Sequence, residues 1–284
     1  MMKCRSLLLC LALLPGAATA DDGRLLATGG ITSLEGSAGG GIVPWAVISG
    51  YGSDEGNGGT AAFSYVNVGD YQVDVIGVSA GFRNRFEISY AEQRLDLGAL
   101  GLALAAPDAT LKNEVLGMKA RLHGDLVYSP EGQFALGVQR KSLDDATIPQ
   151  LLAPVDKSGT DVYLAWSKLW LGAAGGRNLL VNATLRSTSG NELGLLGHGG
   201  NSSDREILPE VSVAMFLDRK TAIGFEYRDK PDNIDAIEET AWKDVFIAWF
   251  PSKSLALTAA WVDLGTIGGL REQTGFYFSA QASF

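Results

Sequence analysis

Few residues in this chain have the right type and spacing for chemistry. It contains two histidines, His123 and His198, and its two cysteines, Cys4 and Cys10, lie close to the N-terminus. No HExxH or His-x-His pair occurs, so the spacing needed to hold a transition metal is missing. A hydrolase needs a serine, a histidine and an orienting group on one patch. Ser89, Ser129 and Ser167 are present, but nothing in the sequence brings one to His123. His198 sits in LGHGG, which reads as a conformationally free loop. The run Gly39-Gly40-Gly41 neither follows a strand nor opens a helix, so it is not a phosphate cradle. Acidic stretches at Asp144-Asp145 and over residues 229–239 lack the ligand spacing of a calcium loop and read as solvated loops. No catalytic residue, cofactor or metal site is expected.

The elements that must carry these residues are strands. In residues 274–284 (TGFYFSAQASF), Phe276, Phe278, Ala280, Ala282 and Phe284 share one face, and Tyr277, Ser279, Gln281 and Ser283 the other. Successive strand residues point to opposite sides, so an apolar face is backed by a polar one. A closing strand that ends on an aromatic fits an outer-membrane barrel, with lipid on one side and the lumen on the other. Eleven further segments of about ten residues alternate in the same way: 60–68, 71–82, 85–95, 114–127, 133–141, 161–171, 178–187, 208–217, 220–228, 242–250 and 254–263. Segment 161–171 is the least regular. Trp166, Lys168 and Trp170 share a face there, which a β-bulge would explain.

Between these segments, short and long connections alternate back from the C-terminus. Only residues 69–70 are short where a long loop is due. Tight turns at one end and long loops at the other are the pattern of an outer-membrane barrel, which takes an even number of strands. The expected fold is therefore an all-β, transmembrane, antiparallel up-and-down barrel of twelve strands over residues 60–284. Fourteen is the alternative, if residues 24–34 and 42–51 add two more.

Residues 1–20 read as a signal peptide. Lys3 and Arg5 precede an apolar run, and Ala18-Thr19-Ala20 forms a small-x-small cleavage site. Removing them leaves 264 residues with 21 Lys and Arg against 32 Asp and Glu, a net charge of −11. That balance argues against a nucleic-acid partner. No apolar run approaches the length of a membrane helix. Residues 21–59 are Gly-rich and lack a sustained period; a flexible lead, a lumen plug and added strands all remain open.

Strand parity places Arg85, Glu87, Lys119, Arg121, His123, Asp125, Lys141, Arg186, Glu226 and Arg228, with Asp74, on the lumen face. Bases outnumber acids in that set, so the lumen is expected to be mildly basic and to favour small anionic or zwitterionic solutes. The expected function is a passive channel or uptake protein for small solutes. The alternative is a non-transporting structural or adhesion barrel working through its long loops. Expected partners are outer-membrane lipid and lipopolysaccharide, and the barrel-insertion machinery reading Phe276, Phe278 and Phe284. The expected location is the outer membrane of a Gram-negative bacterium.

Residues 158–200 (SGTDVYLAWSKLWLGAAGGRNLLVNATLRSTSGNELGLLGHGG) resemble an uncharacterised proteobacterial family, number 3034 among domains of unknown function. LATGGITSLEGSAGGGIVPWAVISGYG near the N-terminus and NEVLGMKARLHGDLVY at 113–128 are similar to it as well. The resemblance implies an outer-membrane β-barrel and supplies no activity or site residues.

Overall fold

The computed structural model describes residues 24–284, apart from 107, 203, 204 and 236. Residues 1–20, which the sequence suggests are a signal peptide, lie outside the described residues. Two short strands come first, β1 (Ile31–Thr32) and β2 (Ala38–Gly39). The wall follows: β3 (Asn57–Val68), β4 (Gln72–Phe82), β5 (Phe86–Asp96), β6 (Thr110–Gly124), β7 (Gln133–Leu143), β8 (Ser158–Ala174), β9 (Arg177–Thr188), β10 (Glu206–Phe216), β11 (Thr221–Arg228), β12 (Trp242–Ser252), β13 (Leu255–Asp263) and β14 (Thr274–Ser283). Each wall strand pairs antiparallel with its sequence neighbours, and β14 pairs with β3, so the twelve close into a barrel. Closure leaves no unpaired strand edge, a condition for crossing hydrocarbon.

The strands form where alternation is cleanest, and the faces have the polarity of a membrane barrel. Outward positions are apolar and open: Met118 is 64% exposed, Phe276 and Val245 58% each, and Leu116 and Leu185 55% each. Inward positions are polar and closed off: Gln93, Asn113, Gln139, Lys141, Asp161, Asn182 and Ser212 have no exposure. A water-soluble barrel would have the reverse arrangement. The tight turns, 83–85, 125–132, 175–176, 217–220 and 253–254, share the end where β14 finishes. Connections 69–71, 97–109, 144–157, 189–205, 229–241 and 264–273 share the other end. The first of these is short, as the sequence indicates.

Lys168 has a different explanation from the expected bulge. Pairing between β8 and β9 stays in register from Val162 to Trp170, and the shift comes only between Trp170 and Ala174. Lys168 therefore lies on the outer face with Trp166 and Trp170. The turn after β6 folds over it, and its ammonium donates to the carbonyls of Val127 (2.9 Å) and Ser129 (2.6 Å).

Residues 24–52 add no strand to the wall; they lie inside it. Nearly every residue from Ala27 to Gly52 is buried. Their polar partners sit on inward faces right round the barrel: Thr60 on β3, Glu87 on β5, Lys119 on β6, Lys141 on β7, Ser167 on β8, Asn182 on β9, Glu226 on β11 and Gln281 on β14. A segment that touches opposing inner walls must occupy the lumen. It enters at the turn end, where Arg24 donates to the carbonyls of Thr28 (2.9 Å) and Gly50 (3.0 Å). The chain then rises as the β1–β2 hairpin and returns to β3. Gly36, at the tip, has φ +84°, and a Cβ there would lie 2.9 Å from the Tyr90 carbonyl oxygen, so both conformation and space favour glycine.

Candidate functional site

The filled lumen holds three polar clusters and one apolar patch. The first cluster surrounds Glu35. Its carboxylate meets Lys141 from β7, Arg186 from β9 (3.0 Å) and both terminal nitrogens of Arg228 from β11 (2.7 and 3.0 Å). The wall supplies two further acids: Asp161 contacts Lys141 (2.6 Å) and Arg186 (3.3 Å), while Glu210 bonds Arg186 Nε (2.5 Å). Arg186 also lies 5.1 Å from the Tyr163 ring centroid and donates to Gln139 (2.7 Å). Three cations thus face three carboxylates, one of them supplied by the N-terminal segment. All six side chains are 5% exposed or less. Buried charges persist only with such pairing.

The second cluster grips the second arm of the hairpin and the stretch that returns toward β3. Glu87 accepts from the backbone N–H groups of Ala38 (3.1 Å) and Ser49 (2.9 Å). Lys119, 3.2 Å from Glu87, donates to the carbonyls of Ala38 and Val47 (2.8 Å each). In the third, Glu226 accepts from Ile42 N–H (2.9 Å), and a Cβ on Gly40 would stand only 1.8 Å from Glu226 Oε1. Gly40 therefore lets the backbone close on a wall carboxylate, which would have to shift to admit a side chain there. Neutral bonds complete the grip: Ser167 Oγ accepts from Ala46 N–H (2.8 Å), and Thr184 donates to the Pro44 carbonyl (2.9 Å). One stretch of the wall is apolar. Leu180, Ala214, Phe246, Ala248 and Phe250 pack against Ala27, Ile31 and Trp45 around a void of about 20 Å³, room for about one water.

The loop end is closed by its own connections. Residues 190–199 turn inward and are buried. Glu192 is held in left-handed backbone (φ 46°) and accepts from Lys230 (2.6 Å) and Trp242 Nε1 (3.0 Å); Lys230 also pairs with Glu239 (2.6 Å). Burial, with Glu239 alongside, pushes the Glu192 carboxyl well above its usual range despite Lys230. His198 is buried, and among the described residues neither ring nitrogen has a hydrogen-bond partner. Burial, then the Lys141 charge, lowers it to about 4.

Of the residues that parity assigns to the lumen, Glu87, Lys119, Lys141, Arg186, Glu226 and Arg228 are buried on the inner face. Arg121 is at the rim of the turn end, paired with Asp54 (3.1 Å). Four placements need correcting. Arg85 is exposed in the turn before β5, one residue before the pairing starts. His123 is exposed and bonds Glu131 (2.9 Å), because a register shift between Arg121 and His123 ends the alternation. Asp125 sits in the following turn, accepting from Val127 and Tyr128 N–H (2.8 Å each). Asp74 is also misassigned, since the inward residues of β4 are Val73, Val75, Gly77 and Ser79. Parity also reaches three inward acids left out of the set, Asp161, Glu210 and Asp244. With them counted, the buried wall carries Lys119, Lys141, Arg186 and Arg228 against Glu87, Asp161, Glu210, Glu226 and Asp244. The lumen is charge-rich but not basic. Among the described residues, no group of three or more His, Cys, Asp or Glu side chains is placed to hold a metal ion.

Comparison with curated proteins returns no match. Among solved structures, the KdgM porin superposes with a TM-score of 0.51 at 11% identity, covering 79% of this chain and 99% of that one. An outer-membrane channel from Pseudomonas putida F1 (COG4313) gives 0.47 at 11% identity, covering 85% and 96%. The NanC porin gives 0.47 at 9% identity, covering 80% and 98%. The KdgM match supports the fold read from the strand pairing: a closed barrel of the outer-membrane type. Residues 28–281, which take in both the wall and the segment inside it, match the model of the family described as "Protein of unknown function (DUF3034)", and the chain belongs to that family.

Proposed function

We propose that the protein is a passive outer-membrane channel for small solutes whose passage is occupied, at rest, by its own N-terminal segment. One observation carries this reading. The inner wall is lined by polar and charged side chains, and many of them bond residues 30–49 of the N-terminal segment as well as one another. Removing that segment would leave a wettable passage, because polar walls hold water and apolar walls do not. The three glutamates, Lys119 and the arginines then act as gate contacts, not catalytic groups. Among the described residues, the His123 ring bonds Glu131 and the ring nitrogens of His198 bond no serine. Outward aromatics on the last strand, Phe276 and Phe278, with Phe284 after it, would meet outer-membrane lipid and the insertion machinery.

The filled lumen also favours a second reading: a sealed barrel that works through its loops. Planar-bilayer recording separates the two. The channel reading expects little current from the full chain and ohmic current from a variant lacking residues 24–52. Silence from that variant, with heat-modifiable gel migration showing it folded, would favour the sealed barrel.

A further inference from the structure

We infer that Lys141, Arg186 and Arg228 form a carboxylate-binding site that Glu35 and an acidic solute occupy in turn. This rests on the channel reading and adds to it the class of solute and the way the gate opens. The three cations come from β7, β9 and β11 and belong to the wall, whereas Glu35 arrives on a hairpin tip. Asp161 and Glu210 balance two of the three charges. With Glu35 withdrawn, the cluster would keep one net positive charge facing the opened passage, and a low-dielectric wall around such a charge favours an anion there.

The geometry narrows the anion. Arg228 presents both terminal nitrogens to the two oxygens of Glu35 at 2.7 and 3.0 Å, the planar fork that matches a carboxylate. A halide would use one prong of that fork, and a dianion would overshoot the single charge left open. Arg186, fixed by Glu210, Gln139 and the Tyr163 ring, is already oriented when the carboxylate arrives. A carboxylate on a small solute would therefore compete with Glu35 for the same partners. Filling the site would release the hairpin tip, so binding and opening would be one event.

Replacing the carboxylate tests this in the full chain. Glu35→Ala removes the resident group, and acetate is the probe, with acetamide and chloride as controls. A cysteine at Ser37, buried beside the tip, reports hairpin release through its rate of maleimide labelling. In Glu35→Ala, acetate should slow labelling saturably by at least fivefold, by filling the space of the missing carboxylate and restoring the charge balance beneath the docked hairpin; acetamide and chloride should not. With Glu35 present, acetate should accelerate labelling instead, through competition. Adding Arg228→Gln should abolish both responses. Acetate acting no differently from acetamide, or acting equally without Arg228, overturns the site. If the acetate responses hold while the full chain and the variant lacking residues 24–52 carry no current, transport fails and the carboxylate site stands.

Discussion

Glu35→Gln isolates the charge at the hairpin tip, because glutamine keeps the size and planarity of the side chain. The wild-type carboxylate holds Lys141, Arg186 and Arg228, with all groups buried. Removing one partner from such a buried set costs about 3–5 kcal/mol, since the remaining charge is left uncompensated. At about 1.4 kcal/mol per factor of ten, the released fraction of the hairpin should rise between about 100-fold and several thousand-fold. The barrel should survive, because the wall pairings are backbone bonds that do not involve Glu35. Amide exchange at Leu34 and Ala38 is the assay, with exchange at Val75 and Ala165 on the wall as the internal control. Ala38 N–H is bonded to Glu87 on the wall (3.1 Å) and reports on docking, whereas Leu34 N–H is bonded to Gly41 O (2.9 Å) and reports on the fold of the segment itself. The substitution should speed exchange at the tip and leave the wall unchanged. Acceleration below about threefold would refute the view that charge pairing anchors the segment, and equal acceleration of the wall would refute its independence from the barrel.

Three further outcomes are expected. Phe225→Arg, on the lipid face, should lower the stability of the folded protein in bilayers by about 2–4 kcal/mol if its ring lies near the midplane, measured by denaturant titration. Gly40→Ala should loosen the hairpin by about 1–3 kcal/mol, because its methyl group must displace the Glu226 carboxylate; the same amide-exchange readout at Ala38 checks it. The loop end should weaken in acid through His198. Its folded value, about 4, lies below the ordinary 6.5, so the neutral form is the one the fold accepts. The stabilisation is complete above about pH 6.5, falls as pH drops toward 4 and is lost below that, with a span of up to about 3 kcal/mol. Protease sensitivity of the 189–205 loop should rise over that interval, and His198→Gln should flatten the profile.

The wall was legible because lipid and lumen impose opposite chemistry on successive residues, and period-two alternation is a strong local signal. Met118, Leu185 and Phe276 could be assigned outward, and Lys141, Arg186 and Arg228 inward, from parity alone. Parity fails where pairing stops: Arg85 precedes its strand and His123 follows a register shift, neither of which leaves a mark in the sequence. Asp161 and Glu210 were readable by the same rule, on strands bearing Tyr163, Ala165, Ser212 and Ala214 on the same face. The N-terminal segment was not. Its conformation answers to walls on all sides, not to one face, so no period appears in residues 24–52. Glu35, the residue that joins it to the cation cluster, looks in sequence like any loop acid.

A disulfide between Thr32 and Thr60 tests the central arrangement most directly. Thr32 lies on the hairpin and Thr60 on β3 of the wall, and their hydroxyl oxygens are 2.8 Å apart inside the barrel. With Cys4 and Cys10 replaced by serine, Thr32→Cys/Thr60→Cys in bilayers should form the bond nearly completely under mild oxidation, tying hairpin to wall. Two thiols that remain free in a folded, heat-modifiable barrel would mean that the segment does not lie in the lumen.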